Sequence, residues 1–206
     1  MKIEALDIPA VKLIMPQKYE DKRGFFMETF SDTKFNQTLD EKAHFVQDNH
    51  SFSFKKGTVR GLHFQVPPYA QGKLVRCIRG SIIDVAVDAR QNSPTYGSHI
   101  SAKLSAKNAQ QLWVPIGFLH GFVTLEPDTE VVYKVTNYYS KECDGNVLWN
   151  DPDLGIDWGL DERAAILSEK DMNAPIFKNF KSPFLCKTSI LQDKLCGYSL
   201  QEARGL

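Results

Sequence analysis

Apolar and polar residues alternate in short runs along this chain, and Gly, Pro, Asn, Asp or Ser punctuates most of the joins. Ser81 to Asp88 (SIIDVAVD) is the clearest run. In a strand, Ile83, Val85 and Val87 share one face, and Asp84, Ala86 and Asp88 share the other. The same alternation predicts strands over 45–53, 99–104, 111–114, 118–125 and 130–137, the last grouping Val131, Tyr133 and Val135. The aromatic run Phe25 to Phe30 reads as a strand after the polar turn Asp21 to Gly24. Residues 1–15 predict one early strand, at a sheet edge or exchanged with another chain. Ser31-Asp32 suits the N-cap of a short helix over 34–39; short helical segments are also expected over 162–167 and 189–195. Residues 149–158, dense in Asp, Pro and Gly, read as loop. Many short strands with turn signals between them argue an all-β sandwich or barrel.

The stretch Gly57 to Gly80 is the most informative part of the pattern. It reads as two strands joined by a turn at Pro67 to Gly72, because two prolines cannot sit in a central ladder. By strand parity Val59, Gly61, His63 and Gln65 face one side, and Arg60 faces the other unless Gly61 marks a bulge. The hairpin brings an imidazole (His63), a guanidinium (Arg60) and an ammonium (Lys73) together. A base beside cations suits proton abstraction next to a carbonyl: the base takes the proton and the cations hold the enolate.

Composition narrows the choice of partner. The chain has 206 residues, with 25 Lys and Arg against 25 Asp and Glu, and no basic run. That balance argues against nucleic acid as a ligand, and any anionic ligand must be held by a few local cations. No apolar run approaches the roughly 20 residues of a membrane span. The N-terminal stretch, broken by charges and prolines, has no signal-peptide core. Four dispersed cysteines (Cys77, Cys143, Cys186, Cys196) form no Cys-x-x-Cys pair, so a cytoplasmic protein with reduced thiols is expected.

A second motif, Val114-Pro115-Ile116-Gly117-Phe118-Leu119-His120-Gly121-Phe122, carries a histidine out of a tight turn. With the first it resembles the cupins, whose second motif is matched at Pro115, Gly117 and His120. The first motif is matched at Gly57, His63 and Gly80, but Gln65 stands where the cupins place a second histidine. Two histidines and an amide are fewer than the three strong ligands of a catalytic metal site, and His44, His50 and His99 lie off the motif. No metal and no cofactor are therefore expected. The resemblance implies a mainly β fold, a cupin-type jelly roll (double-stranded β-helix) with a few short helices.

Within the cupins the chain resembles the dTDP-4-dehydrorhamnose 3,5-epimerases. The matching segments run in order from Asp21-Lys22-Arg23-Gly24-Phe25-Phe26-Met27-Glu28 through Gln47-Asp48-Asn49-His50-Ser51, Arg60-Gly61-Leu62-His63-Phe64-Gln65 and Gln71-Gly72-Lys73-Leu74-Val75. They continue through the second motif, Tyr133-Lys134, Tyr138-Tyr139 and Trp149-Asn150-Asp151 to Leu167-Ser168-Glu169-Lys170-Asp171. The resemblance implies a domain over 1–182, with 183–206 as a C-terminal extension, and a homodimer in which an N-terminal strand crosses over. It implies a dTDP-linked 4-keto-6-deoxy sugar as substrate, with His63 as base, Asp171 orienting it, Lys73 holding charge on the C4 oxygen and Tyr133 returning a proton. Arg60 and Arg23 would hold the pyrophosphate; Glu28, Gln47 and Asn49 would bond nucleotide or sugar; Phe26 and Tyr138 would stack on the base. His120, braced by Asp84, would sit by the sugar, with Asp144 and Lys170 as further binding residues. Alternatives are an epimerase acting at C3 or C5 alone, a non-catalytic nucleotide-sugar cupin, and a metal cupin.

Overall fold

The computed structural model describes residues 1–39 and 42–186; the helix expected over 189–195 lies outside the described residues. The chain opens with β1 (Lys2–Ala5), β2 (Lys12–Met15), β3 (Lys18–Asp21) and β4 (Gly24–Met27), then helix α1 (Asp32–Asn36). Next come β5 (Gln47–Ser53), β6 (Val59–Gln65), β7 (Lys73–Arg79), β8 (Ser81–Asp88) and β9 (His99–Ser105). After them run β10 (Gln111–Val114), β11 (Phe118–Thr124), β12 (Thr129–Val135), β13 (Asp144–Asn146) and helix α2 (Glu169–Met172). Two sheets form, β1-β2-β10-β7-β12-β5 and β13-β6-β11-β8-β9, while β3 and β4 make a separate hairpin. Every strand pair is antiparallel. Strands close in sequence alternate between the two sheets, which is the jelly-roll arrangement.

Alternation along β8 explains the layers. Ile82 and Ala86 point between the sheets into a core shared with Val75, Leu112, Phe122 and Val131. Ile83, Val85 and Val87 point the other way, onto a second core with Trp149, Leu154, Trp158 and Phe184. The segment after β13 therefore covers the outer face of the five-stranded sheet, and within it Trp158 Nε1 donates to the Trp149 carbonyl at 2.9 Å. A third cluster, Phe35 of α1 with Ile14, Leu74 and Trp113, covers part of the six-stranded sheet. The site lies between the sheets, where polar residues replace apolar ones along the inward faces of β6, β7, β11 and β12.

Three expectations are corrected. Residues 57–80 are not a hairpin: β6 and β7 belong to facing sheets, and 66–72 crosses between them. Residues 1–15 form two strands, paired Ile3 to Ile14, because a turn between them reverses the chain. That turn is closed where the Val11 amide donates to the Ile8 carbonyl at 2.9 Å, across Pro9 and Ala10. Helix α1 starts at Asp32 and stops at Asn36, before the expected span is complete. The parity of β6 breaks at Gly61, the position the sequence marks for a bulge. Val59 packs into the same outer core as Leu62 and Phe64, so Arg60 and His63 both turn inward. The register on β11 slips between His120 and Phe122, placing the bulge opposite Gly121. Gly61 makes it possible: its φ is +144°, and a Cβ there would stand 2.5 Å from the Gly121 Cα.

Candidate active site

Between the sheets, a cavity of about 420 Å³ is lined by Arg60 and His63 of β6, Lys73 of β7, His120 and Phe122 of β11, Tyr133 of β12, Ser51 of β5 and Asp171 of α2. It falls in the ordinary size range of small-ligand sites. His63 faces His120 in register across β6 and β11. His63 thus stands on the five-stranded sheet, and Lys73 and Tyr133 stand on the six-stranded one.

Asp171 reaches His63 through two devices. Asn146 of β13 pairs with His63 in register, and its Nδ2 donates to the Lys170 carbonyl at 2.8 Å, docking α2 beside β6. Ser168 then caps α2: its Oγ accepts from the Asp171 amide at 3.1 Å and donates to Asp171 Oδ2 at 2.9 Å. Asp171 Oδ1 is left for His63 Nε2 at 2.5 Å. Burial pulls the Asp171 carboxyl up, but the hydrogen bonds from His63 and Ser168 and the nearby cations hold it below its ordinary value. The ionised carboxylate can only accept, so Nε2 is the donor in this bond and Nδ1 is the ring's other nitrogen.

The other charges are tuned by burial. Lys73 forms no ion pair among the described residues, and burial lowers its ammonium to about 8, against the pull of Asp84 and Asp144. Burial raises the Tyr133 hydroxyl above its usual value, opposed by Arg60. His120 bonds the fully buried Asp84 through Nε2 at 2.8 Å; burial lowers its imidazole despite that carboxylate. Arg60 is held at the rim by the Phe52 carbonyl at 3.2 Å and Ser53 Oγ at 3.4 Å.

Gln65 is explained by its bonds. Its Nε2 donates to the Tyr69 and Tyr138 carbonyls at 2.6 and 3.0 Å, and its Oε1 accepts from the Ser140 amide at 2.8 Å. Where the cupins place a metal ligand, this side chain ties two loops together. Asp144 accepts from Lys170 Nζ at 2.6 Å and from the Tyr139 hydroxyl at 3.3 Å, forming a charged edge near the loop of exposed Tyr138. Gln47 Nε2 donates to Asn49 Oδ1 at 2.8 Å, and Asn49 lines an adjoining cavity of about 300 Å³ that shares Tyr133.

Arg23, Phe26 and Glu28 stand apart from both cavities. Arg23 pairs with Asp21 at 2.6 Å on the β3–β4 turn, Phe26 is 71% exposed, and Glu28 accepts from Lys34 at 2.8 Å. Ser51 and Ser168 are among the cavity residues to which the sequence assigns no role. Ser51 shares the parity of Gln47 and Asn49, which is the available signal; Ser168 shows as a cap residue three positions before Asp171.

Comparison with known proteins agrees with this arrangement. The family model described as dTDP-4-dehydrorhamnose 3,5-epimerase matches residues 5–179. The dTDP-4-dehydrorhamnose 3,5-epimerase of Sinorhizobium fredii is 53% identical over 175 residues, covering 85% of this chain and 89% of the relative. That of Shigella flexneri is 48% identical over 177 residues, covering 86% and 96%. Among solved structures, the Legionella pneumophila dTDP-6-deoxy-D-glucose-3,5-epimerase, in complex with dTDP-4-keto-L-rhamnose, superposes with a TM-score of 0.85 at 40% identity, covering 91% of this chain and 98% of that one. This chain belongs to the dTDP-4-dehydrorhamnose 3,5-epimerase family, with the cupin jelly roll that its two sheets display.

Proposed function

We propose that this chain is a dTDP-4-dehydrorhamnose 3,5-epimerase that inverts C3 and C5 of dTDP-4-dehydro-6-deoxyglucose without a cofactor. The observation that carries the reading is the His63–Asp171 pair facing Lys73 and Tyr133 in one cavity. Both carbons flank the C4 ketone, so loss of either proton gives an enolate that the ketone itself absorbs. His63 Nδ1 takes the proton, and Asp171 stabilises the resulting imidazolium. Lys73 holds the negative charge on O4, and the protonated Tyr133 delivers a proton from the opposite sheet. No electrons leave the substrate, so no redox group is required. Gln65, held by three backbone groups, is not a free metal ligand, and the reaction proceeds without a metal.

Arg60 binds the pyrophosphate in this reading, with Gln47, Asn49, His120, Tyr138, Asp144 and Lys170 around nucleotide and sugar. Arg23, Phe26 and Glu28 serve the cavity of a second copy in a homodimer. Their hairpin supports this: it belongs to neither sheet, and Tyr19, Phe25 and Phe26 on it are exposed. The domain covers 1–182 and 183–206 is an extension, whose first residues are anchored by Phe184 in the outer core. Free thiols at Cys77 and Cys143 fit a cytoplasmic location, and among the described residues no helix is long and apolar enough to cross a membrane. The test is proton NMR of purified enzyme with dTDP-4-dehydro-6-deoxyglucose in deuterated water. Deuterium entering both C3 and C5, with the doubly inverted sugar as product, is the expected result; exchange at one carbon alone, or at neither, refutes it.

A further inference from the structure

Two buried side-chain polar atoms among the described residues lack a hydrogen-bond partner within the chain: Asp84 Oδ2 and Ser51 Oγ. Burying a hydroxyl without a partner is unfavourable, and native structures keep such groups mainly where a ligand satisfies them. Asp84 already has a role beside His120. Ser51 has none, and it lines the catalytic cavity.

Its place on β5 says what it meets. Two residues before it is Asn49, which pairs in register with Tyr133. Two residues after it is Ser53, whose hydroxyl touches the Arg60 guanidinium. Successive same-face residues lie roughly 7 Å apart. Ser51 therefore stands midway between the proton donor and the pyrophosphate-binding arginine. In a nucleoside diphosphate sugar, the group between the reacting ring and the rest of the pyrophosphate is the sugar-proximal phosphate.

We propose that Ser51 is a substrate-binding residue whose hydroxyl, shielded from solvent in the ligand-free chain, turns about its Cα–Cβ bond to donate to an oxygen of the sugar-proximal phosphate, fixing the ring's depth between His63 and Tyr133. The inference rests on the nucleotide-sugar reading above. A neutral donor adds no charge to the cavity, so Arg60 supplies most of the phosphate attraction and Ser51 supplies register.

The test is calorimetric titration of the full chain and of Ser51→Ala with dTDP, which carries that phosphate, and with dTMP, which does not. A hydrogen bond to a charged acceptor predicts a roughly ten- to hundredfold loss of dTDP affinity in the variant. Affinity for dTMP should be unchanged. Ligand-free Ser51→Ala should melt at or above the wild-type temperature, because no intramolecular bond is lost. Unchanged dTDP affinity, an equal loss for dTMP, or a lower ligand-free melting temperature each overturns the assignment. Wild-type protein that fails to bind dTDP overturns the nucleotide-sugar reading and this inference with it.

Discussion

Lys73 is the residue whose chemistry is most changed by where it sits. In the proposed mechanism its ammonium is needed charged, to hold the enolate oxygen, yet burial lowers it to about 8. Activity should therefore fall as pH rises through about 8, far below the ordinary lysine range near 10.4. A pH profile of kcat/KM flat to about pH 9.5 would remove Lys73 from that role. Asp171→Asn keeps the shape but loses the negative charge, and with one amide oxygen shared between Ser168 and His63 it can turn a donor toward the imidazole; kcat should drop by roughly 100- to 10,000-fold. His63 and Tyr133 should differ in kind. His63→Ala should stop deuterium entry at both carbons. Tyr133→Phe should keep exchange at C3 while C5 inversion falls far more, because packing survives and only the hydroxyl is removed. Rates equal to wild type in Tyr133→Phe, measured by the same NMR experiment, would leave Tyr133 as a core residue.

At the scale of elements, β6 shows both what alternation predicts and where it stops. The strand is legible from its residues, but period-2 counting puts Arg60 and His63 on opposite faces. The bulge that reunites them depends on a close approach to Gly121, a contact between distant parts of the chain that no local pattern reports. Gly61→Ala meets both an unfavourable φ and a backbone clash. It should destabilise the fold by roughly 2–4 kcal/mol and lower activity beyond that loss, as measured by denaturant unfolding and kcat/KM. A variant of wild-type stability and rate would contradict the bulge. The expected β6–β7 hairpin fails for a related reason. A Pro/Gly turn says that a strand ends, but not whether the chain returns to the same sheet. Short elements such as β13 and α2 escape the pattern too, since three or four residues carry too little periodicity. They are nonetheless what delivers Asp171 to His63. The family motifs place the main site residues in order along the chain, while the tuning of Lys73 and the commitment of Gln65 follow from tertiary contacts.

For the whole molecule, the isolated β3–β4 hairpin gives the homodimer a test that does not depend on mass alone. Mixing inactive His63→Ala with inactive Arg23→Ala through unfolding and refolding should regenerate activity if Arg23 acts on the neighbouring cavity. Each hybrid dimer then holds one site with both residues intact. No recovery in a refolded mixture would place Arg23 in its own chain's service or outside the reaction. Activity surviving exhaustive chelation is expected from the bonds of Gln65, and its restoration only by a divalent ion would overturn the metal-free mechanism. The two facing sheets also bear on handedness. A proton lost to a group on one layer and regained from a group on the other must arrive on the opposite side of the ring. Stereochemistry is thus a property of the layers more than of either side chain. An acid relocated to the layer of His63 would return the proton to the side it left, turning the enzyme into a catalyst of silent isotope exchange with no change of configuration.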